Sequence, residues 1–141
     1  MNNNYKVLIS CIVCFVIISL YGSYRCKNPK FHDPLMNKLG ILDLDGWSIT
    51  HFVFFLSLGY FFPDTIVLSM SLGIGWELFE QLIGKARPGM LGGFGDCVTT
   101  DPGIHGSWWF GRLSDIVMNA SGFLLGMYIS NTIKKSTKKD N

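Results

Sequence analysis

The sequence predicts an all-α protein built as an integral membrane four-helix bundle, and three observations carry that reading. Apolar residues make up 48% of the 141 residues and charged residues only 16%, against about 25% charge in soluble domains. Apolar stretches recur four times, the second, about 47–62, rather short for a bilayer span of about 20 residues. Eleven Phe and four Trp accompany them, and aromatic side chains suit lipid and its headgroup layer. One domain, residues 1–141, is expected for a chain of this length. The net charge of +2 is too small to indicate nucleic acid. Membrane lipids are the expected partners, with a second copy or another membrane protein as further ones.

The first helix is expected over about 7–24. This run is long for a signal-peptide core, and Leu20-Tyr21-Gly22-Ser23-Tyr24 is a poor cleavage site. An uncleaved signal-anchor helix is therefore expected, with Cys11 and Cys14 acting as small hydrophobes inside it. The second helix, about 47–62, stops at Pro63. The third, about 65–83, follows at once, with Asp64 as its expected N-cap. Pro63-Asp64 makes a tight turn, so the second and third helices form an antiparallel hairpin. The fourth, about 114–133, opens with Ser114 and Asp115 and leads into a lysine tail over 134–141. Lys134, Lys135, Lys138 and Lys139 in that tail suit either anionic lipid heads or plain solvation.

Two longer connections remain, neither with helical or alternating periodicity. Residues 25–46 mix Arg25, Lys27, Lys30 and Lys38 with Asp33, Asp43 and Asp45. Residues 84–113 form a Gly/Trp-rich loop between the third and fourth helices, with Trp108 and Trp109 suited to the headgroup layer. Its glycines lack the GxxxxGK[ST] pattern of a phosphate cradle, so the loop is expected to fold back on the membrane surface.

Four spans put both long loops on one membrane face and both termini on the other. Seven Lys/Arg lie on the loop face and five on the terminal face, the latter denser near the helix ends. The balance is close, and both termini are expected in the cytoplasm. Cys26 and Cys97 would then share an oxidising side and pair.

The chemistry is expected where ionisable groups enter the apolar helices. A charged side chain at the centre of a spanning helix costs roughly 2.5–3.5 kcal/mol on insertion scales, so carboxylates kept there are paired, hydrated or used. Glu77, Glu80 and Gln81 share one face of the third helix, by i,i+3 and i,i+4 spacing. At a rise of about 1.5 Å per residue, Glu77 sits about 10 Å in from Gly84, and Asn119 about 8 Å in from Ser114. His51 opens the second span, and Asp115 and Asn119 open the fourth. His51, Glu77, Glu80, Asp115 and Asn119 are thus the candidate site residues, meeting in a shallow acidic pocket near the loop face. Asp115, Asn119, Gly122 and Gly126 form one stripe on the fourth helix; Ser69, Gly73 and Glu77 form another on the third. Small residues let helices approach closely in lipid, so the third and fourth helices are expected to pack through these stripes.

The bland reading stands beside this one. Glu77 and Glu80 could simply pair with Lys85, Arg87 or Arg112, Asp115 could cap its helix, and His51 could bond a backbone carbonyl. The sequence assigns no metal and no cofactor. His105, Asp96 and Asp101 in the glycine loop have no ligand spacing, and no GxSxG, HExxH or Walker motif is present.

At the same residues the chain resembles the VanZ-like family of small membrane proteins. Asp45 stands before His51-Phe52, Glu77 and Glu80-Gln81 close the third helix, and Arg87 or Arg112 precedes Asp115, Asn119 and Gly122. The resemblance covers Asp45 to Gly126, and the long Gly/Trp-rich stretch leaves open which arginine corresponds. Strings such as Trp76-Glu77-Leu78-Phe79-Glu80 are also similar to membrane proteins of large DNA viruses. The resemblance implies a small multi-pass membrane protein, in a family sometimes linked to glycopeptide-antibiotic tolerance, and supplies no reaction.

Three functions follow as expectations. The first is binding or processing of a lipid or lipid-linked headgroup, with His51 as general base, Glu77 or Glu80 as acid or orienting carboxylate, and Asn119 as a hydrogen-bonding group. The second is a structural or assembly protein whose polar cluster only fixes helix packing. The third, an ion-coupled carrier, is disfavoured because the polar groups stop at one face.

Overall fold

The computed structural model describes residues 2–28, 32–40, 44–86 and 111–137. Among them the secondary structure is helical: α1 (Asn3–Lys27), a 3₁₀ turn (Pro34–Met36), α2 (Gly46–Phe61), α3 (Ile66–Ala86) and α4 (Leu113–Thr137). All four expected helices are present, and three run several residues past the expected ends. Lys134 and Lys135 belong to the last turn of α4 rather than to a tail, a position where cations complement the carbonyl-rich helix end.

Local chemistry sets the boundaries. Asn2 caps α1 by accepting the Asn4 N–H at 3.2 Å. Asp45 caps α2 by accepting the Ser48 N–H at 3.0 Å. The residue before a proline is pushed out of helical geometry, and α2 ends at Phe61 with Phe62 as its C-cap ahead of Pro63. Thr65, not Asp64, immediately precedes α3. Its hydroxyl donates to the Phe62 carbonyl at 2.7 Å, closing the turn, while its own carbonyl accepts the Ser69 N–H at 2.9 Å. The Asp64 carboxylate instead accepts from the Asn3 side chain at 2.8 Å.

The first connection holds more structure than its sequence suggested. Asp33 caps the 3₁₀ turn, and Lys38 bridges Asp45 across a short antiparallel pairing. Asp33 is fully buried and collects four donors: Leu35 N–H at 2.9 Å, Tyr21 Oη–H at 2.6 Å, Trp47 Nε1–H at 3.3 Å and Arg25 Nη1 at 3.0 Å. A buried charge persists when it is paired and hydrogen-bonded, and here that requirement pins the loop to α1 and α2.

The helices alternate in direction. The start of α1 meets the α2–α3 turn through Asn3–Asp64 and through Lys6 over the Phe62 ring. Its middle meets α3 through the edge-on pair Phe15–Trp76, and its end meets the start of α2 through Tyr21–Trp47. The α2 and α4 axes run parallel and closest. A methyl group placed on Gly122 would strike the Phe52 carbonyl, one on Gly126 the Leu56 carbonyl, and one on Gly59 the Phe123 carbonyl. The glycine stripe of α4 therefore seats α2, not α3 as its spacing suggested. Gly73 of α3 faces the Phe55 ring and the Asn119 amide. Phe123, Phe55, Leu58 and Val7 form the buried apolar centre.

Two helices, over Asn3–Arg25 and Leu113–Thr137, are long and apolar enough to cross a membrane. Only 11% and 28% of their apolar windows are buried, so most of that surface faces outward.

Candidate functional site

At the end of the molecule where α2 and α4 begin and α3 closes, polar side chains from three helices converge. Each is placed by its position in a helix turn. Asp45 and Ser48 are cap and third residue of α2, and His51 lies one further turn along the same face. Asp115 is in the first turn of α4 and Asn119 is one turn on. Glu77 projects from α3, which runs the opposite way, and so arrives at the same level.

The bonds fall into two linked groups. In the outer group, Arg112 Nη1 donates to Asp45 Oδ2 at 2.6 Å, and the Arg112 backbone N–H donates to Glu77 Oε2 at 2.9 Å. Ser48 Oγ donates to Asp115 Oδ1 at 2.6 Å. In the inner group, His51 Nδ1 lies 3.0 Å from Asn119 Oδ1 and 3.5 Å from Glu77 Oε1. Asp45, Ser48, Glu77, Asp115 and Asn119 are all buried. Among the described residues of the cluster, His51 is 15% exposed and the Arg112 side chain 33%.

Among the described residues three buried side-chain polar atoms have no hydrogen-bond partner: Ser19 Oγ on α1, and Glu77 Oε1 and Asn119 Nδ2 in the cluster. Buried polar groups are nearly always satisfied, and leaving one bare costs about 1–3 kcal/mol, more when it is charged. Both cluster atoms belong to side chains almost wholly enclosed, with Glu77 at 4% and Asn119 at 1% exposure. One ligand atom each from His51, Glu77 and Asp115 lies within 4.8 Å of the others.

The structure thus brings together four of the five candidate residues: His51, Glu77, Asp115 and Asn119. Glu80 sits one turn further along α3, half-buried, where the Trp76 side chain hydrogen-bonds its carboxylate. Asp115 does not act as a plain cap, since its carboxylate accepts from Ser48 across the α2–α4 contact. Arg112 reaches the cluster, and its guanidinium goes to Asp45 rather than to Glu77. Arg87, Cys97, Asp96, Asp101, His105, Trp108 and Trp109 lie outside the described residues, as does the Cys26 side chain. The Cys26–Cys97 pairing falls there too.

Ser48 was missed by sequence reasoning. Its signal was its place, three residues after Asp45 and three before His51, where i,i+3 spacing puts all three on one helix face. An open surface hollow lined by Asn131, Lys134, Lys135 and Thr137 lies at the opposite end of α4, away from these carboxylates.

In comparisons with known proteins, the chain matches no family model, no curated protein and no solved structure.

Proposed function

We propose that the four helices span a bilayer, and that the His51–Glu77–Asp115–Asn119 cluster engages the polar head of a lipid or lipid-linked molecule at one membrane face. The distribution of side chains supports the spanning arrangement. Arg25, Asp33, Asp45, Glu77, Asp115 and Asn119 are inside, while Ile12, Ile17, Leu20, Val67, Leu82, Val117 and Tyr128 are outside. Water would penalise that exterior by about 25 cal/mol per Å²; lipid does not. The two long apolar helices, α1 and α4, add to this. The alternation of helix direction supports a cluster at the level of one headgroup layer.

The single observation that carries the functional reading is the pair of unsatisfied buried atoms, Glu77 Oε1 and Asn119 Nδ2. A cluster built only to hold helices together would close its own bonds, as Asp33 does with four donors. Here one acceptor and one donor remain, beside an imidazole that can carry a proton between bound groups. In this reading His51 serves as base, Glu77 orients it, and Asn119 donates to the head of the ligand. The likeness to VanZ-like proteins supports the same residues, with Arg112 as the arginine of that pattern.

The test is retention of lipid by the purified protein in nanodiscs, followed by native mass spectrometry. Wild type is expected to keep a bound phospholipid that Glu77→Gln and His51→Ala release while staying folded by circular dichroism. If both variants retain lipid as wild type does, or wild type retains none, the cluster is a packing device and the reading is wrong.

A further inference from the structure

We propose that His51, Glu77 and Asp115 bind one divalent cation of the manganese or zinc class, with Asn119 Oδ1 as a fourth protein ligand. This inference rests on reading the cluster as a working site rather than as packing; with Nδ1 on the cation, His51 is a ligand in place of the base. Three features of the geometry point to it.

The first is the arrangement of lone pairs. His51 Nδ1 faces two acceptor oxygens, Asn119 Oδ1 at 3.0 Å and Glu77 Oε1 at 3.5 Å. One N–H serves only one of them well, and Glu77 Oε1 is the oxygen left bare. A cation at the centre satisfies the imidazole nitrogen and both oxygens together. With metal–ligand distances of about 2.1 Å, neighbouring ligands stand about 3.0 Å apart in an octahedron and about 3.4 Å apart in a tetrahedron. The 3.0 and 3.5 Å separations fall in that range, and the ligand atoms of His51, Glu77 and Asp115 all lie within 4.8 Å of one another.

The second is charge. Three buried carboxylates, Asp45, Glu77 and Asp115, share the cluster with Arg112, whose guanidinium is held by Asp45 at 2.6 Å. Glu77 and Asp115 receive neutral donors instead, an amide N–H and a serine hydroxyl. A buried carboxylate stays ionised only beside a counter-charge, and a divalent ion supplies one to both. The same ion explains how an acidic site accepts a phosphate-bearing head, which bare carboxylates repel.

The third is the support around the ligands. Ser48 Oγ holds Asp115, and the Arg112 N–H holds Glu77 Oε2 so that Oε1 turns inward. Groups that orient metal ligands in this way are a regular part of metal sites. One imidazole with two carboxylates and an amide oxygen suits manganese or zinc better than calcium or magnesium, which prefer oxygen alone.

The experiment uses the full chain in phospholipid nanodiscs, stripped with chelator and titrated with Mn²⁺ while free aquo-Mn²⁺ is followed by electron paramagnetic resonance. One bound Mn²⁺ per chain is expected, displaced by Zn²⁺. Glu77→Gln and Asp115→Asn are each expected to weaken binding at least about 100-fold, beyond the 10–100-fold typical of groups that merely support ligands. Asp64→Asn, at the other end of the molecule, is expected to bind as wild type does. The wild-type stoichiometry decides first, since it does not depend on any variant folding: no saturable binding to folded wild type overturns the proposal. Saturable binding that Asp64→Asn removes as strongly as Asp115→Asn also overturns it. Lipid retention is measured on the same samples. Stoichiometric Mn²⁺ without lipid retention upholds the cation and sinks the headgroup reading; lipid retention without Mn²⁺ does the reverse.

Discussion

Asp45 does two jobs with two oxygens, and substitutions can separate them. Its Oδ1 caps α2 through the Ser48 N–H at 3.0 Å, and its Oδ2 takes Arg112 Nη1 at 2.6 Å. An N-cap is worth about 1 kcal/mol. A hydrogen bond between charged groups contributes about 1.5–3 kcal/mol, and the lower end applies because the Arg112 side chain is one-third exposed. Asn at position 45 keeps a capping oxygen and loses the charge, so Asp45→Asn is expected to cost about 1.5 kcal/mol by the loss of that bond. Asp45→Ala loses the cap as well and is expected to cost about 2.5 kcal/mol. In a double-mutant cycle with Arg112→Gln, the coupling is expected at about 1.5 kcal/mol for Asp45→Asn. The assay is equilibrium unfolding in mixed micelles, followed by circular dichroism at 222 nm. A coupling below about 0.5 kcal/mol would show that the pair contributes little, as exposed pairs do. Equal costs for Asn and Ala would show that the cap contributes nothing.

The glycine seam predicts a sharp contrast within one amino-acid type. Gly126→Val forces apart α2 and α4 and is expected to cost about 3 kcal/mol, the upper range for overpacking. Gly75, which has open space where a side chain would be, is expected to accept Ala with stability unchanged or raised by up to about 1 kcal/mol; thermal unfolding of the two variants checks both. At the Arg25–Asp33 latch, Asp33→Ala leaves a guanidinium that is 4% exposed unpaired and is expected to cost about 3–5 kcal/mol. Tyr21→Phe, which removes one of the four donors, is expected to cost about 1 kcal/mol, and limited proteolysis in the segment after α1 reads both changes. For the spanning arrangement, single cysteines at positions 2 and 137 in a background with Cys11, Cys14, Cys26 and Cys97 changed to Ser are expected to label from one side of sealed vesicles. A cysteine at position 40 is expected to label from the other. Labelling of all three from one side would end the four-span reading.

Helix number and order were legible because each helix carries its own apolar run, and Pro63 marks the tight turn between α2 and α3. Helix ends were less legible. Lys134 and Lys135 read as tail by charge, yet backbone hydrogen bonding carries α4 to Thr137, and lysine stems accept a helix readily. Thr65 took the position assigned to Asp64 because its hydroxyl also closes the turn onto Phe62. The site was legible by depth: counting residues from the helix ends put His51, Glu77, Asp115 and Asn119 at one level. Partner choice was not legible. The stripe Gly122–Gly126 says that some backbone comes close; nothing in its spacing says which. The Asp33 latch was invisible for the same reason, since beyond the local Leu35 N–H its donors come from residues 21 and 25 on α1 and 47 on α2, brought to it by the fold.

The seam and the site are one structure seen at two depths. Along α4, residues 115, 119, 122 and 126 occupy a single stripe, and along α2 residues 48, 52, 56 and 59 oppose it. Glycine against carbonyl fixes the register of the two helices to a fraction of a turn, because a shift of one residue would turn every contact away. That register decides whether Ser48 meets Asp115 and whether His51 meets Asn119. Glu77 enters from α3 at the level set by Gly73, which has room for no side chain against the Phe55 ring. Contacts between parallel apolar helices in lipid gain little from exclusion of water, so close packing has to supply both the stability and the alignment. Gly122 and Gly126, about two and three turns along α4 from Asp115, therefore set the geometry of the polar cluster, and a substitution there reaches it through packing rather than through charge.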